Sequence, residues 1–94
     1  MSVARITTMN LKSKEDADRI EETYTENAPT EFSEAEQLLE VRVDETTLIF
    51  VSLYPNDAAM ERASASRSKR MDLNKDVIEK VDGKTGKVIL NYKN

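Results

Sequence analysis

The segment TLIFVSLYPND, residues Thr47–Asp57, has the pattern of a buried strand that runs directly into a helix. The part before the proline is almost continuously apolar, which is typical of a strand covered on both faces. Pro55 then ends the strand, because a proline has no N–H to donate to a neighbouring strand. Asn56 and Asp57 are both favourable helix N-caps. The segment therefore predicts a central strand followed by a helix.

Two further strands are predicted before this segment. Ser2–Leu11 mixes β-branched and small polar residues, without a strongly charged face. Leu38–Val43 alternates apolar and polar side chains, which indicates a strand with one covered face. Asp44–Thr47 has the composition of a tight turn. The second and third strands are therefore expected to form a hairpin.

One helix is predicted between the first and second strands, and another after the central strand. The first begins at Ser13, whose hydroxyl together with the carboxylate of Asp16 forms a variant of the capping box. Pro29 is expected to end it at Ala28, because the residue before a proline disfavours helical geometry. The second helix starts near Asn56. Its core-facing side chains recur at roughly helical spacing, namely Ala59, Met60, Ala63, Arg67 and Met71.

The C-terminal part allows two interpretations. Lys75–Val81 is either a short third helix or a strand that pairs with the last strand in a hairpin. Gly83 and Gly86 are expected to bracket a turn. Lys87–Lys93 is predicted as the final strand, since alternate residues along it are apolar.

The resulting order is βαββαβ, the plan of an α+β ferredoxin-like fold. With 94 residues, the chain is expected to form a single domain over residues 1–94. The plan gives a four-stranded antiparallel sheet with both helices on one face. Apolar residues make up only 38% of the chain, so a core formed by one copy is thin. A second copy or a ligand is therefore expected to cover the other face of the sheet.

Composition excludes several kinds of chemistry. The chain has no cysteine and no histidine, so it has no disulfide, no thiolate nucleophile and no imidazole base. No metal site and no cofactor are expected. The basic residues Arg62, Arg67, Lys69 and Arg70 are interpreted as a solvated helix face, because no aromatic residues lie among them as in nucleic-acid sites. Neither a membrane span nor a secretory signal is expected, and a cytoplasmic location is the default interpretation.

Three segments resemble the antibiotic biosynthesis monooxygenase-like domains of the dimeric α+β barrel group. They are TMNLKS at Thr8–Ser13, TLIFVSLY at Thr47–Tyr54 and DAAMER at Asp57–Arg62. The likeness extends over roughly residues 3–92. It implies a homodimer in which two sheets pack face to face. It also implies a small cavity between each sheet and its helices.

Activity varies within the group that the chain resembles. Some members oxidise polycyclic phenols without a cofactor, some degrade haem, and many have no assigned activity. The haem-degrading branch uses an Asn on the first strand, a Trp, and a His ligand on the second helix. Asn10 matches the first of these, but the chain has no Trp and no His, so haem binding of this kind is not expected. For a cofactor-free oxidase, the remaining polar candidates are Asn10, Tyr24, Tyr54, Arg5 and Arg67.

A ligand pocket is predicted between the sheet and the helices, because such sites are mostly apolar with a few convergent polar groups. Asn10 and Met9 point to opposite faces of an unbulged strand, and Asn10 is the preferred member. Each residue also has a structural interpretation: Asn10 as a strand-end hydrogen-bonding residue and each tyrosine as a core ring with its hydroxyl at the rim. The candidate ligand-binding residues are Asn10, Tyr54, Tyr24, Phe50, Met60 and Arg67.

Arg67 lies where an apolar residue is expected on the second helix. It either extends its charged end into solvent, pairs with an acid of the first helix such as Glu21, or holds an anionic ligand. The ion pair is the preferred interpretation.

The leading functional hypothesis is a dimeric protein that binds a small apolar or aromatic molecule. The alternatives are a cofactor-independent monooxygenase for a phenolic or aromatic substrate, and a non-catalytic module whose sheet binds a protein partner. A cavity lined by tyrosine hydroxyls favours the first two, and a solid interior favours the third.

Overall fold

The computed structural model describes all residues, 1–94, and shows four strands and two helices in the predicted βαββαβ order. All strand pairs are antiparallel, and the sheet order is β2-β3-β1-β4. This is the ferredoxin-like arrangement, with β3 and β1 at the centre. The elements are β1 (Val3–Leu11), α1 (Lys14–Glu31), β2 (Gln37–Asp44), β3 (Thr47–Tyr54), α2 (Asp57–Asn74) and β4 (Ile78–Lys87).

Both helices begin at the predicted caps. The Ser13 hydroxyl accepts a hydrogen bond from the Asp16 backbone N–H at 3.1 Å. The Asn56 side-chain oxygen accepts one from the Ala59 N–H at 2.9 Å. Each cap satisfies an N–H group that has no partner inside its helix. The two caps therefore fix the direction in which the chain leaves β1 and β3.

The predicted end of α1 at Ala28 is wrong, since the helix continues through Pro29 to Glu31. Pro29 lies in the last turn, where its missing N–H removes only one helical hydrogen bond. The Phe32 N–H donates to the Ala28 carbonyl at 2.8 Å and completes the turn. The extra turn brings Phe32 into the core, where it is 7% exposed.

The predicted last strand is also misplaced. β4 covers Ile78–Lys87, so it is neither a third helix nor one arm of a terminal hairpin, and Gly83 and Gly86 lie within it. Its pairing with β1 extends from Leu11 opposite Ile78 to Val3 opposite Lys87, which uses the whole length of β1. After Lys87, one further backbone hydrogen bond continues this pairing, from the Val88 N–H to the Ser2 carbonyl. Residues 88–94 therefore have no strand to pair with in one copy.

The two faces of the sheet differ in cover. One face packs against both helices and contains the buried core, including the fully buried Leu11, Leu48 and Tyr54. The other face has no helix over it. Four large apolar residues are about half exposed there or beside it, at 45–50%: Ile6, Leu39, Val41 and Val43. We call this surface the open face. No helix is long and apolar enough to cross a membrane.

Candidate functional site

A small cavity lies between the helices and the covered face of the sheet. Its floor comes from alternate residues of β1 and β3, which share a face because strand side chains alternate. Its roof comes from α1 and the second half of α2. The cavity volume is about 40 Å³, which is room for roughly three water molecules. The floor residues are Arg5, Thr7, Met9, Phe50, Ser52 and Tyr54, and the roof includes Ile20, Tyr24, Arg67, Arg70 and Met71.

Aromatic rings form one wall of this cavity. Tyr24 of α1 meets Phe50 of β3 edge to face, with ring centroids 4.6 Å apart. The Phe32 ring lies 6.2 Å from Tyr24 on the other side. All three side chains are 7% exposed. This wall is suited to the ring of an aromatic ligand.

Two tyrosine hydroxyls and the hydroxyl of Ser52 form a polar part of the cavity. Burial raises the pKa of both Tyr54 and Tyr24, while the nearby Ser52 hydroxyl opposes the shift. Arg5 and Arg67 also oppose the rise in the pKa of Tyr54, because their positive charges favour a phenolate. The phenols therefore stay protonated at neutral pH and are available as hydrogen-bond donors.

Arg5 and Arg67 enter the cavity from opposite sides. The Arg67 guanidinium donates to the Thr7 hydroxyl at 3.4 Å, and the Arg5 guanidinium donates to the Ser64 hydroxyl at 3.3 Å. Burial and the positive charge of Arg5 together lower the pKa of Arg67. The preferred ion pair between Arg67 and Glu21 does not form, since Glu21 lies beside Arg42 at 3.1 Å instead.

Arg70 closes the cavity on the solvent side. Its guanidinium binds Glu31 at 2.6 Å and lies 5.4 Å from the centroid of the Tyr24 ring. The sequence pattern placed Arg70 on a solvated helix face, but its side chain is only 14% exposed. The signal that was missed is its position three residues after Arg67, which puts both on one side of α2.

The structure brings four of the six candidate residues together in the cavity: Tyr54, Tyr24, Phe50 and Arg67. Asn10 lies elsewhere, on the open face, where its side-chain oxygen accepts a hydrogen bond from the Thr47 hydroxyl at 2.9 Å. Met60 is buried, but it does not line the cavity. Met9, the residue passed over in favour of Asn10, is the one on the cavity side. These placements are positions in the fold, and ligand contact by any of the candidates stays a prediction.

The cavity's remaining polar residues, Thr7, Ser52 and Asn74, were not singled out in the sequence. The signal of Thr7 and Ser52 is weak, because each is a small hydroxyl residue within an otherwise unremarkable strand. Only the pairing of β1 with β3 places them on the same face as Phe50. No group of three or more His, Cys, Asp or Glu side chains is arranged to hold a metal ion.

Comparison with known proteins gives matches among solved structures alone. No protein-family model matches the chain. No curated protein matches it either. A dimeric ferredoxin-like protein from an uncultured marine organism superposes with a TM-score of 0.80 at 12% identity, covering 99% of this chain and 92% of that one.

Two similar structures carry functional descriptions. A proposed antibiotic biosynthesis monooxygenase from Chloroflexus aurantiacus has a TM-score of 0.77 at 6% identity, covering 99% of this chain and 98% of that one. A variant of SnoaB, a cofactor-independent oxygenase from Streptomyces nogalater, has a TM-score of 0.73 at 11% identity with the same coverage. At such identities the likeness concerns the fold. The chain therefore has a ferredoxin-like fold, which it shares with a protein described as a dimeric ferredoxin-like protein and with a proposed antibiotic biosynthesis monooxygenase, as the sequence resemblance predicted.

Proposed function

We propose that the protein binds a small aromatic molecule in the cavity between the sheet and the helices. One observation carries the proposal: the ring wall formed by Tyr24 and Phe50 faces the same small space as Tyr54 and Arg67. Ligand sites combine such apolar walls with a few polar groups that fix orientation. The non-catalytic module, in contrast, was expected to have a solid interior.

The size of the cavity limits how the ligand enters. Room for roughly three waters is too little for a whole aromatic ring. We expect a ring to enter when the half-buried Met71 moves and the bridge between Arg70 and Glu31 opens. Met is suited to this role because its unbranched side chain adopts many shapes at low cost.

The proposal includes a homodimer. The open face exposes a group of large apolar side chains, and surfaces of this kind mark interaction sites in soluble proteins. Two of the structures with this fold are described as dimeric. A second copy packed sheet against sheet covers the open face and leaves both cavities, on the far side of each sheet, free for ligand.

Methionine methyl groups offer an internal test of ligand binding. Met9 and Met71 line the cavity, whereas Met60 is buried outside it and Met1 is exposed. In protein labelled with ¹³C at the methionine methyls, titration with phenol should shift the Met9 and Met71 signals in a saturable way. The Met1 and Met60 signals serve as controls. Unchanged Met9 and Met71 signals at saturating phenol contradict the proposal.

A cofactor-independent monooxygenase is the second candidate, and the two arginines are the observation that favours it. A phenolic substrate bound beside Arg5 and Arg67 has a lowered pKa, because positive charge stabilises its phenolate. A phenolate is more easily oxidised than a phenol. Oxygen uptake by the protein with a polycyclic phenol, above the rate without protein, tests this candidate. An Arg67→Met variant with an unchanged rate contradicts it.

A further inference from the structure

We infer that the molecule bound in this cavity carries a carboxylate, and that Arg5 and Arg67 hold this group. The inference rests on the proposed function, since it assigns the chemical class of the ligand at the same site. Its starting point is the charge of the cavity. The chain has an excess of acidic residues, with a formal net charge of −4, yet the polar part of its cavity is cationic.

Most of the arginines have a carboxylate partner, but two at the cavity do not. Of the six arginines, four form ion pairs with a carboxylate: Arg19, Arg42, Arg62 and Arg70. Three arginines line the cavity: Arg70 pairs with Glu31, whereas Arg5 and Arg67 have no carboxylate partner. Each of these two makes one side-chain hydrogen bond, to a neutral hydroxyl, so most of its N–H donors are free for a ligand. A half-buried guanidinium without an anion is costly, and an anionic ligand removes this cost.

The backbone leaves space for the Arg67 guanidinium against the sheet. A Cβ atom added at Gly83 would lie 3.1 Å from its Nη2 atom, which is closer than ordinary contact. Glycine at this position lets the guanidinium lie on β4 rather than extend into solvent. The charged end of Arg67 is therefore directed at the cavity floor, where Thr7 pairs with Gly83 across the ladder.

Two guanidinium groups without a carboxylate partner at one cavity suit a planar carboxylate. Guanidinium groups bind carboxylates through two parallel hydrogen bonds, which gives orientation as well as affinity. The hydroxyls of Tyr54 and Ser52 lie in the same cavity and can donate to the remaining oxygen lone pairs. The aromatic body of the ligand then lies against Tyr24 and Phe50.

Benzoate and its neutral isostere benzamide separate this inference from the proposed function. Both are titrated into the homodimeric protein while the Met9 and Met71 methyl signals and the arginine Nε–Hε signals are recorded. We expect benzoate to bind at least about tenfold more tightly than benzamide, because hydrogen bonds to charged groups are the strong ones. Benzoate, but not benzamide, should shift the Nε–Hε signals of Arg5 and Arg67.

Charge removal gives a matched comparison. Arg67→Met should weaken benzoate binding at least about tenfold more than it weakens benzamide binding, which a purely structural role of Arg67 cannot explain. Arg62→Met is the control, since Arg62 pairs with Glu34 on the surface. Equal binding of benzoate and benzamide overturns the carboxylate inference and keeps the proposed site. Failure of both molecules to shift the Met9 and Met71 signals overturns the proposed function as well.

Discussion

The Glu40 carboxylate is only partly hydrogen-bonded in the folded protein. This β2 residue points toward α1, where one carboxylate oxygen accepts a hydrogen bond from the Thr25 hydroxyl at 2.9 Å. The other oxygen, Oε2, is buried and has no hydrogen-bond donor. Burial raises the pKa of Glu40, and the negative charge of Glu21 raises it further. Folding therefore shifts the pKa of this carboxyl above that of a solvated glutamate.

Replacement of Glu40 by glutamine should stabilise the protein at pH 7 by about 1 kcal/mol, since it removes a charge with an unsatisfied buried oxygen. A folded-state pKa above the ordinary 4.5 gives the wild type stability that is present below pH 4.5 and lost as the pH rises through the folded value. The advantage of Glu40→Gln should therefore disappear when the pH falls below 4.5. Urea unfolding at pH 7 and pH 4 measures it.

Glu22→Gln, at an exposed position of α1 with no side-chain hydrogen bond, is the control for the general effect of removing a negative charge. Equal effects of the two variants at pH 7, or an advantage of Glu40→Gln that grows toward acid, would be inconsistent with a desolvated Glu40.

Local signals in the sequence were enough to identify most elements. The apolar run of β3 and the caps at Ser13 and Asn56 depend on neighbouring residues alone, and the structure confirms them. β4 could not be placed in this way, because its position follows from pairing with β1, a contact distant in sequence. Gly83 and Gly86 look like turn residues locally. Within the sheet, the first leaves space for Arg67 instead.

The two glycines of β4 form a matched pair at the element scale. Neither has a positive φ, so alanine fits the backbone at both positions. Gly86→Ala meets no atom within 4 Å and should stabilise the chain by about 0.4–1 kcal/mol, because it reduces the freedom of the unfolded state. Gly83→Ala displaces the Arg67 guanidinium and should stabilise less.

Thermal or urea unfolding of both variants measures this difference, and benzoate titration adds a second readout. Gly83→Ala should weaken benzoate binding, whereas Gly86→Ala should leave it unchanged. If both variants bind benzoate like the wild type, the space beside Gly83 is not what positions Arg67.

The arrangement of the whole molecule explains why the site was only partly predicted. Residue type identified Tyr24, Tyr54, Phe50 and Arg67 as candidates, and all four line the cavity. The sequence did not give the face of β1 that carries the site, because both faces of that strand have similar polarity. Register settles this point: the Met9 face turns toward the helices, and Asn10 turns to the open face.

The open face gives a prediction for assembly. The wild type is expected to sediment as a dimer at micromolar concentration. Ile6→Lys should convert it to a folded monomer, because Ile6 is 48% exposed in one copy and its replacement puts an unpaired charge into the dimer interface. Leu73→Lys is the control, since Leu73 is an exposed apolar residue on α2, away from the open face. Sedimentation of the wild type as a monomer at all concentrations contradicts this assembly.

A crystal structure of the protein with benzoate bound tests the central claim most directly. We predict density for the carboxylate within hydrogen-bonding distance of the Arg5 and Arg67 guanidinium groups, with the ring against Tyr24 and Phe50. Met71 should move outward from its place in the cavity lining. Benzoate bound only at other surfaces, with the cavity between sheet and helices unoccupied at saturating concentration, would contradict the account.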